Sequence, residues 1–198
     1  MAGNVKTGID KPAAVKTALV TGAAARIGAA VARALHQRGC RVLVHCNSNL
    51  QGARALVEQL NRERPASAWA VSADLSTISG VNQLISTCLQ DSATLDVLVN
   101  NASRFYPTAV GETQAYEWDD LLNSNLRGPY FLSQGLVPAL RATGGVIINI
   151  LDVHAQRPMQ GHAAYCISKA GLAMMALALA RELGPDVRVN GVSPGAIL

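Results

Sequence analysis

Tyr165 and Lys169 stand four residues apart in the stretch Tyr165-Cys166-Ile167-Ser168-Lys169. On a helix, positions i and i+4 share a face. An ammonium held beside a phenol stabilises the phenolate and lowers the phenol's pKa, which makes it a better proton donor near neutrality. Taken alone, such a pair is equally an ordinary surface pair. It gains weight from polar residues at ordered places: Asn100-Asn101-Ala102-Ser103, Asn125, and Pro194-Gly195. A second constellation is Thr21-Gly22-Ala23-Ala24-Ala25-Arg26-Ile27-Gly28. Here Gly22 permits a tight turn and Gly28 lets a helix approach a strand closely. The free N–H groups at such a helix start face an anion, as in pyrophosphate binding. Glycines also occur in β–α turns for backbone reasons alone.

These residues need elements to position them. Short apolar runs at Thr17–Thr21, Arg41–His45, Ala68–Ser72, Leu95–Asn100, Val146–Leu151 and Val187–Val192 are rich in Val, Leu and Ile and alternate only weakly. That pattern predicts strands buried on both faces. Between them lie helical stripes, Ile27, Ala30, Val31, Ala34 and Leu35 in the first helix and Ala55, Leu56 and Leu60 in the second. Gly39 stands where the first helix should end. Strict alternation predicts a three-layer α/β domain, a Rossmann-like, doubly wound parallel sheet in order 3-2-1-4-5-6. An unrelated α/β domain is the alternative on alternation alone.

The second strand ends in His45-Cys46-Asn47-Ser48-Asn49, without Asp or Glu. An acid there would accept from the ribose hydroxyls of NAD and repel a 2′-phosphate. Its absence, with Arg26 close by, points to NADPH. One of Asn47, Ser48 and Asn49 is also expected to cap the following helix.

Composition bounds the rest. Hydrophobic residues make up 49% of the chain, ample for a buried core. The net charge of +4 comes from scattered basic residues, which disfavours nucleic-acid binding. No apolar run reaches the roughly 18 residues of a membrane span. Residues 1–15 are polar with Gly3, Gly8 and Pro12. They lack the apolar core of a signal peptide and read as a flexible arm before a domain at 16–198, in a cytoplasmic protein. Cys40, Cys46, Cys88 and Cys166 show no zinc-ligand spacing, so free buried thiols and no metal are expected.

Together, the ordered motifs from about residue 16 onward resemble the short-chain dehydrogenases/reductases. The resemblance implies that Tyr165 is the proton donor and that Lys169 binds the nicotinamide ribose and tunes Tyr165. It implies that Asn125 holds a water in a proton relay. It places Gly22, Arg26, Ile27, Gly28, His45, Asn47, Ser48, Asn101, Ala102, Ser103, Pro194 and Gly195 along the cofactor, and Asp74 and Leu75 at the adenine. It also implies a homo-oligomer, commonly a tetramer. Where these enzymes usually carry Ser, thirteen residues before the Tyr, this chain has Asp152. A carboxylate repels a ketone oxygen and suits a ring presenting N–H donors or a C=N nitrogen that needs a proton.

Asp152, Gly-x-x-x-Arg-x-Gly in the turn and Asn-Ala-Ser-x-Phe-Tyr-Pro after the fourth strand are similar to the pteridine reductases. That implies reduction of a pterin or folate, with Phe105 stacked on the ring and Arg26 and Ser103 touching ring or phosphate. Phe105 as ordinary core and Asp152 as a strand-end cap are the alternatives. The chain ends at Leu198, short of the substrate-loop helix and seventh strand that the resemblance implies. Two further readings therefore stand: a carbonyl reductase for 3-oxoacyl or hydroxysteroid-like substrates, and a truncated cofactor-binding protein with little activity.

Overall fold

A computed structural model of the chain describes residues 15–90 and 93–195. The expected arm lies outside these residues, Val15 excepted. Six strands, β1 (Thr17–Val20), β2 (Arg41–Cys46), β3 (Ala68–Ser72), β4 (Val97–Asn100), β5 (Val146–Ile150) and β6 (Arg188–Val192), form one sheet in order β3-β2-β1-β4-β5-β6. Every pairing is parallel, with Val20 level with Val44 on one side and with Val99 on the other. This is the doubly wound order that the alternation predicts. β1 is buried at all its positions, which only a central strand covered on both faces allows.

The crossovers are α1 (Arg26–Gln37), α2 (Leu50–Glu63), α3 (Ile78–Gln90), the pair α4 (Ala115–Leu122) and α5 (Gly128–Arg141), and α6 (Ala163–Leu183). α1 and α2 cover one face around Ala32, Leu56 and Leu60. α3, α5 and α6 cover the other around Leu84, Leu132, Leu136 and Leu172. α1 stops at Gly39, whose φ of +91° suits glycine and whose N–H donates to the His36 carbonyl. The chain leaves β1 toward β2 on one side and reaches β4 on the other. Above the C-terminal ends of β1 and β4 this reversal opens a crevice.

Two expectations are corrected. The helix stripes are met in part: α1 packs Val31 and Leu35 against the core as expected but buries Gly28, Ala29, Ala32 and His36 more deeply and exposes Ala30 and Ala34, and α2 buries Leu56 and Leu60 as expected, with Ala53 in place of the exposed Ala55. Close approach of α1 to the turn selects its small residues for the deepest positions. His36 is tolerated there because its Nε2 meets Ser67 Oγ at 2.7 Å. The second correction is that one helix does have the length and apolarity of a membrane span. α6 has a mean hydropathy of 1.6 over such a window, with half of that window buried. It packs on β6 and carries Tyr165 and a Lys169 that is only 3% exposed, as a core helix does.

Candidate active site

The turn after β1 is shaped by three side chains. Thr21 Oγ1 accepts the N–H groups of Asn101 and Ala102, both at 2.9 Å, and donates to the Val99 carbonyl. Asn101 Nδ2 donates to the carbonyls of Thr21 (2.7 Å) and Gly22 (3.1 Å). His45, buried below, accepts the Gly22 N–H on Nδ1 and donates from Nε2 to the Ala73 carbonyl. Burial lowers the His45 pKa, so the ring stays neutral in that tautomer. Both its ring nitrogens serve the fold.

Gly22 has φ of +61°. A Cβ on Gly28 would lie 2.4 Å from the Gly22 carbonyl oxygen and 2.5 Å from Asn101 Nδ2, so only glycine fits. α1 then begins without a side-chain cap and without an acid in its first turn, leaving its N–H groups for a ligand. Arg26 is exposed at φ +50° and has no hydrogen-bond or ion-pair partner among the described residues. An uncapped helix start, a cradle that a methyl would fill and an unpaired cation fit a dinucleotide pyrophosphate.

At the end of β2, Asn49 caps α2 by accepting the Gly52 N–H at 3.0 Å. Asn47 lines the crevice, whereas Ser48 is exposed outside its lining. Leu75 is buried beside Asp74. Burial works against the charge of Asp74, but two bonds from Ser76 and the Arg104 cation outweigh it and hold the carboxyl below its usual range. Arg104 spans Asp74, at 3.7 Å, and Asp120.

Tyr165 and Lys169 come from the first two turns of α6, and Asp152 from the end of β5. Asp152 Oδ2 accepts the Tyr165 hydroxyl at 2.6 Å, and Oδ1 accepts the His154 N–H at 2.9 Å. The residue is thus both a cap, for the short 3-10 turn Val153–Ala155, and a partner of the phenol. Lys169 Nζ donates to the Ile150 carbonyl at 3.0 Å and lies 5.9 Å from the Tyr165 ring centroid. Burial lowers its pKa to about 8, against the pull of the Asp152 charge.

The expected lowering of the Tyr165 pKa by Lys169 is not seen. Burial raises it, and the bond to Asp152 and the Asp152 charge raise it further. The phenol holds its proton tightly because it is buried and because its nearest charged partner is a carboxylate.

Asn125 is completely buried in one π-helical turn, Asn123–Arg127, that joins α4 to α5. Its amide brackets Arg104, accepting its N–H at 2.8 Å and donating to its carbonyl at 3.0 Å, and also donates to Ser168 Oγ. The side chain therefore ties the β4 loop to α6. Next along that loop, Phe105 is 55% exposed. It stacks on His162 at 4.8 Å and 9° and meets Tyr165 edge-on at 4.8 Å.

One cleft of about 660 Å³ runs through these groups. It is lined by Gly22, Arg26, Ile27, Gly28, His45, Asn47, Asp74, Leu75, Asn101, Ala102, Ser103, Phe105, Asp152, Tyr165, Lys169, Pro194 and Gly195. Ser48 and Asn125 stand apart, one outside and one beneath. Sequence reasoning missed Thr21, Arg104, His154 and His162. Only Thr21, adjoining the glycine turn, carried a local signal. Among the described residues no cluster of three His, Cys, Asp or Glu could hold a metal ion.

Residues 16–198 match the short chain dehydrogenase family. Pteridine reductase 1 of Leishmania tarentolae is 35% identical, over 90% of this chain and 75% of that protein. The 3-oxoacyl-[acyl-carrier-protein] reductase FabG of Staphylococcus aureus is 34% identical, over 92% and 75%. D-threitol dehydrogenase of Mycolicibacterium smegmatis is 35% identical, over 92% and 70%. A glycine cradle at the switch point of a doubly wound sheet, a Tyr–Lys pair on the sixth helix and these matches along the chain agree: it belongs to the short-chain dehydrogenase family of oxidoreductases.

Proposed function

We propose that this protein is an NADPH-dependent pteridine reductase, which reduces a C=N bond of a dihydropterin, pterin or dihydrofolate. The observation that carries the reading is the 2.6 Å bond from Tyr165 to a carboxylate, Asp152. A ketone entering this site competes with that carboxylate for the phenol proton. Breaking such a charge-assisted bond costs about 1.5–3 kcal/mol, roughly 10- to 160-fold in rate. A ring that presents its own N–H to Asp152 replaces the phenol as donor and frees the Tyr165 O–H for the ring nitrogen.

The residues divide the work accordingly. A reduced nicotinamide, held in the cleft beside Tyr165 and Lys169, would supply the hydride for the C=N carbon. Tyr165, with Asp152, delivers the proton to the nitrogen. Lys169 holds the ribose and places its charge beside the phenol. Phe105 covers the ring, and Ser103 and Arg26 contact ring or phosphate. Arg26, Gly22, Gly28, Asn101, Ala102, Pro194 and Gly195 hold the cofactor, with Asp74 and Leu75 at the adenine. The absence of an acid after β2 and the unpaired Arg26 favour NADPH over NADH.

NADPH oxidation is to be followed with dihydrobiopterin, dihydrofolate and a panel of ketones. Turnover of the pterins at tenfold or more over the ketones is expected. Turnover of ketones alone makes the protein a carbonyl reductase like its FabG relative. Cofactor binding without turnover of either makes it a binding protein. The reading includes a homo-oligomer assembled through α5 and α6, where the exposed Tyr130, Phe131 and Met174 line an apolar groove of about 360 Å³.

A further inference from the structure

His162 is the N-cap residue of α6, and its side chain is not used as a cap. The N-cap position favours Ser, Thr, Asp or Asn, whose oxygen accepts a free N–H of the first turn. His162 makes no such bond. Its Nδ1 donates to the Gln160 carbonyl at 3.0 Å, which fixes the ring plane, and that plane lies 9° from Phe105 at 4.8 Å. Three residues on, one turn up the helix, Tyr165 packs against the same Phe105 at 4.8 Å with the ring planes 80° apart. Phe105 is therefore stacked on His162 and set at a steep angle to the phenol of Tyr165.

The backbone ties the same two segments together. Thr108 donates its N–H to the Gly161 carbonyl at 2.6 Å, and its hydroxyl accepts the Ala164 N–H at 3.2 Å. Phe105 and Tyr165 line the cleft, and His162 does not.

From this geometry we infer that His162 is a positioning residue that sets the selectivity for planar ring substrates: it backs the Phe105 platform and holds its free face at a fixed distance from Tyr165. The inference rests on the pteridine reductase reading. A stacked aromatic pair contributes about 0.5–1.5 kcal/mol beyond area burial, which corresponds to about two- to tenfold in binding of a ring laid on the platform. A loss of uniform ring binding raises KM with little change in kcat.

The test compares steady-state kinetics with NADPH and dihydrobiopterin for the wild type, His162→Ala, His162→Asn and His162→Tyr, each with its melting temperature. His162→Asn supplies a good helix cap, so a merely structural role predicts a melting temperature and KM at least as good as the wild type. The platform role predicts that His162→Ala and His162→Asn both raise KM about two- to tenfold, with kcat changed less. It predicts that His162→Tyr returns KM to within about twofold of the wild type. Wild-type KM in His162→Asn overturns the inference, as does a loss in kcat alone or a KM that follows melting temperature. A wild type that neither binds nor reduces dihydrobiopterin overturns the functional reading, and the platform role with it. A wild type that does both, with unaffected variants, overturns the platform role alone.

Discussion

Replacing Asp152 by Asn isolates the carboxylate that distinguishes this site. Each oxygen of Asp152 carries one bond, from the Tyr165 hydroxyl and from the His154 N–H. Asn offers one acceptor oxygen and two donors, so one of these bonds is lost. Loss of a charge-assisted bond costs about 1.5–3 kcal/mol. In a domain of this size that lowers Tm by roughly 2–4 °C per kcal/mol.

The electrostatic consequence is more specific. The Asp152 charge is what opposes the effect of burial on Lys169, whose pKa stands at about 8. Without it, the lysine titrates lower. The Tyr165 pKa, raised by burial and then by Asp152, also comes down. Both shifts have the same sign. The assay is kcat/KM against pH with the best substrate of the panel above. The wild type is expected to lose activity on the basic side near pH 8 as Lys169 gives up its ammonium, and Asp152→Asn to lose it at lower pH. A basic limb that stays in place or moves up refutes the coupling of Asp152 to Lys169.

Three further outcomes follow from the same geometry. Gly28→Ala forces a methyl against the Gly22 carbonyl and the Asn101 amide. It should lower stability by about 1–3 kcal/mol and abolish NADPH binding in a fluorescence titration; normal binding would show that the cradle yields. Arg26→Ala should weaken NADPH more than NADH, and equal weakening rejects a 2′-phosphate contact, while Arg26→Gly should also relieve up to about 1 kcal/mol of left-handed backbone strain.

Lys169 gives the stability a defined pH dependence. Its folded pKa of about 8 lies below its ordinary 10.5, so the unfolded chain binds this proton more tightly. The associated stability, about 3 kcal/mol, is present above pH 10.5 and is lost as pH falls through about 8. Lys169→Met should flatten urea-unfolding stability across that window, and an unchanged slope assigns it to another group.

The strand order and the turn were legible in the sequence because their signals are local. Strands buried on both faces read as continuous apolar runs, and the Gly22–Gly28 spacing is that of a strand passing into a helix. The Tyr165–Lys169 pair was legible for the same reason, since one helical turn fixes who shares a face. The departure at Asp152 was visible as a residue type at a counted position. What the tertiary structure alone decided is what these groups do to one another. Asp152, thirteen residues from Tyr165, turned out to accept the phenol's hydrogen bond and to add to the upward pKa shift that burial sets, where a downward one was expected. Lys169 went to the Ile150 carbonyl, Arg104 bridged Asp74 and Asp120, and Asn125 fastened the Phe105 loop to α6. Even on α1 the deepest positions went to its small residues near the close approach at Gly28, with the larger Val31 and Leu35 only partly buried against the core. Periodicity and spacing are properties of neighbouring residues, whereas burial and electrostatic partners belong to groups that only the folded chain brings within a few ångströms.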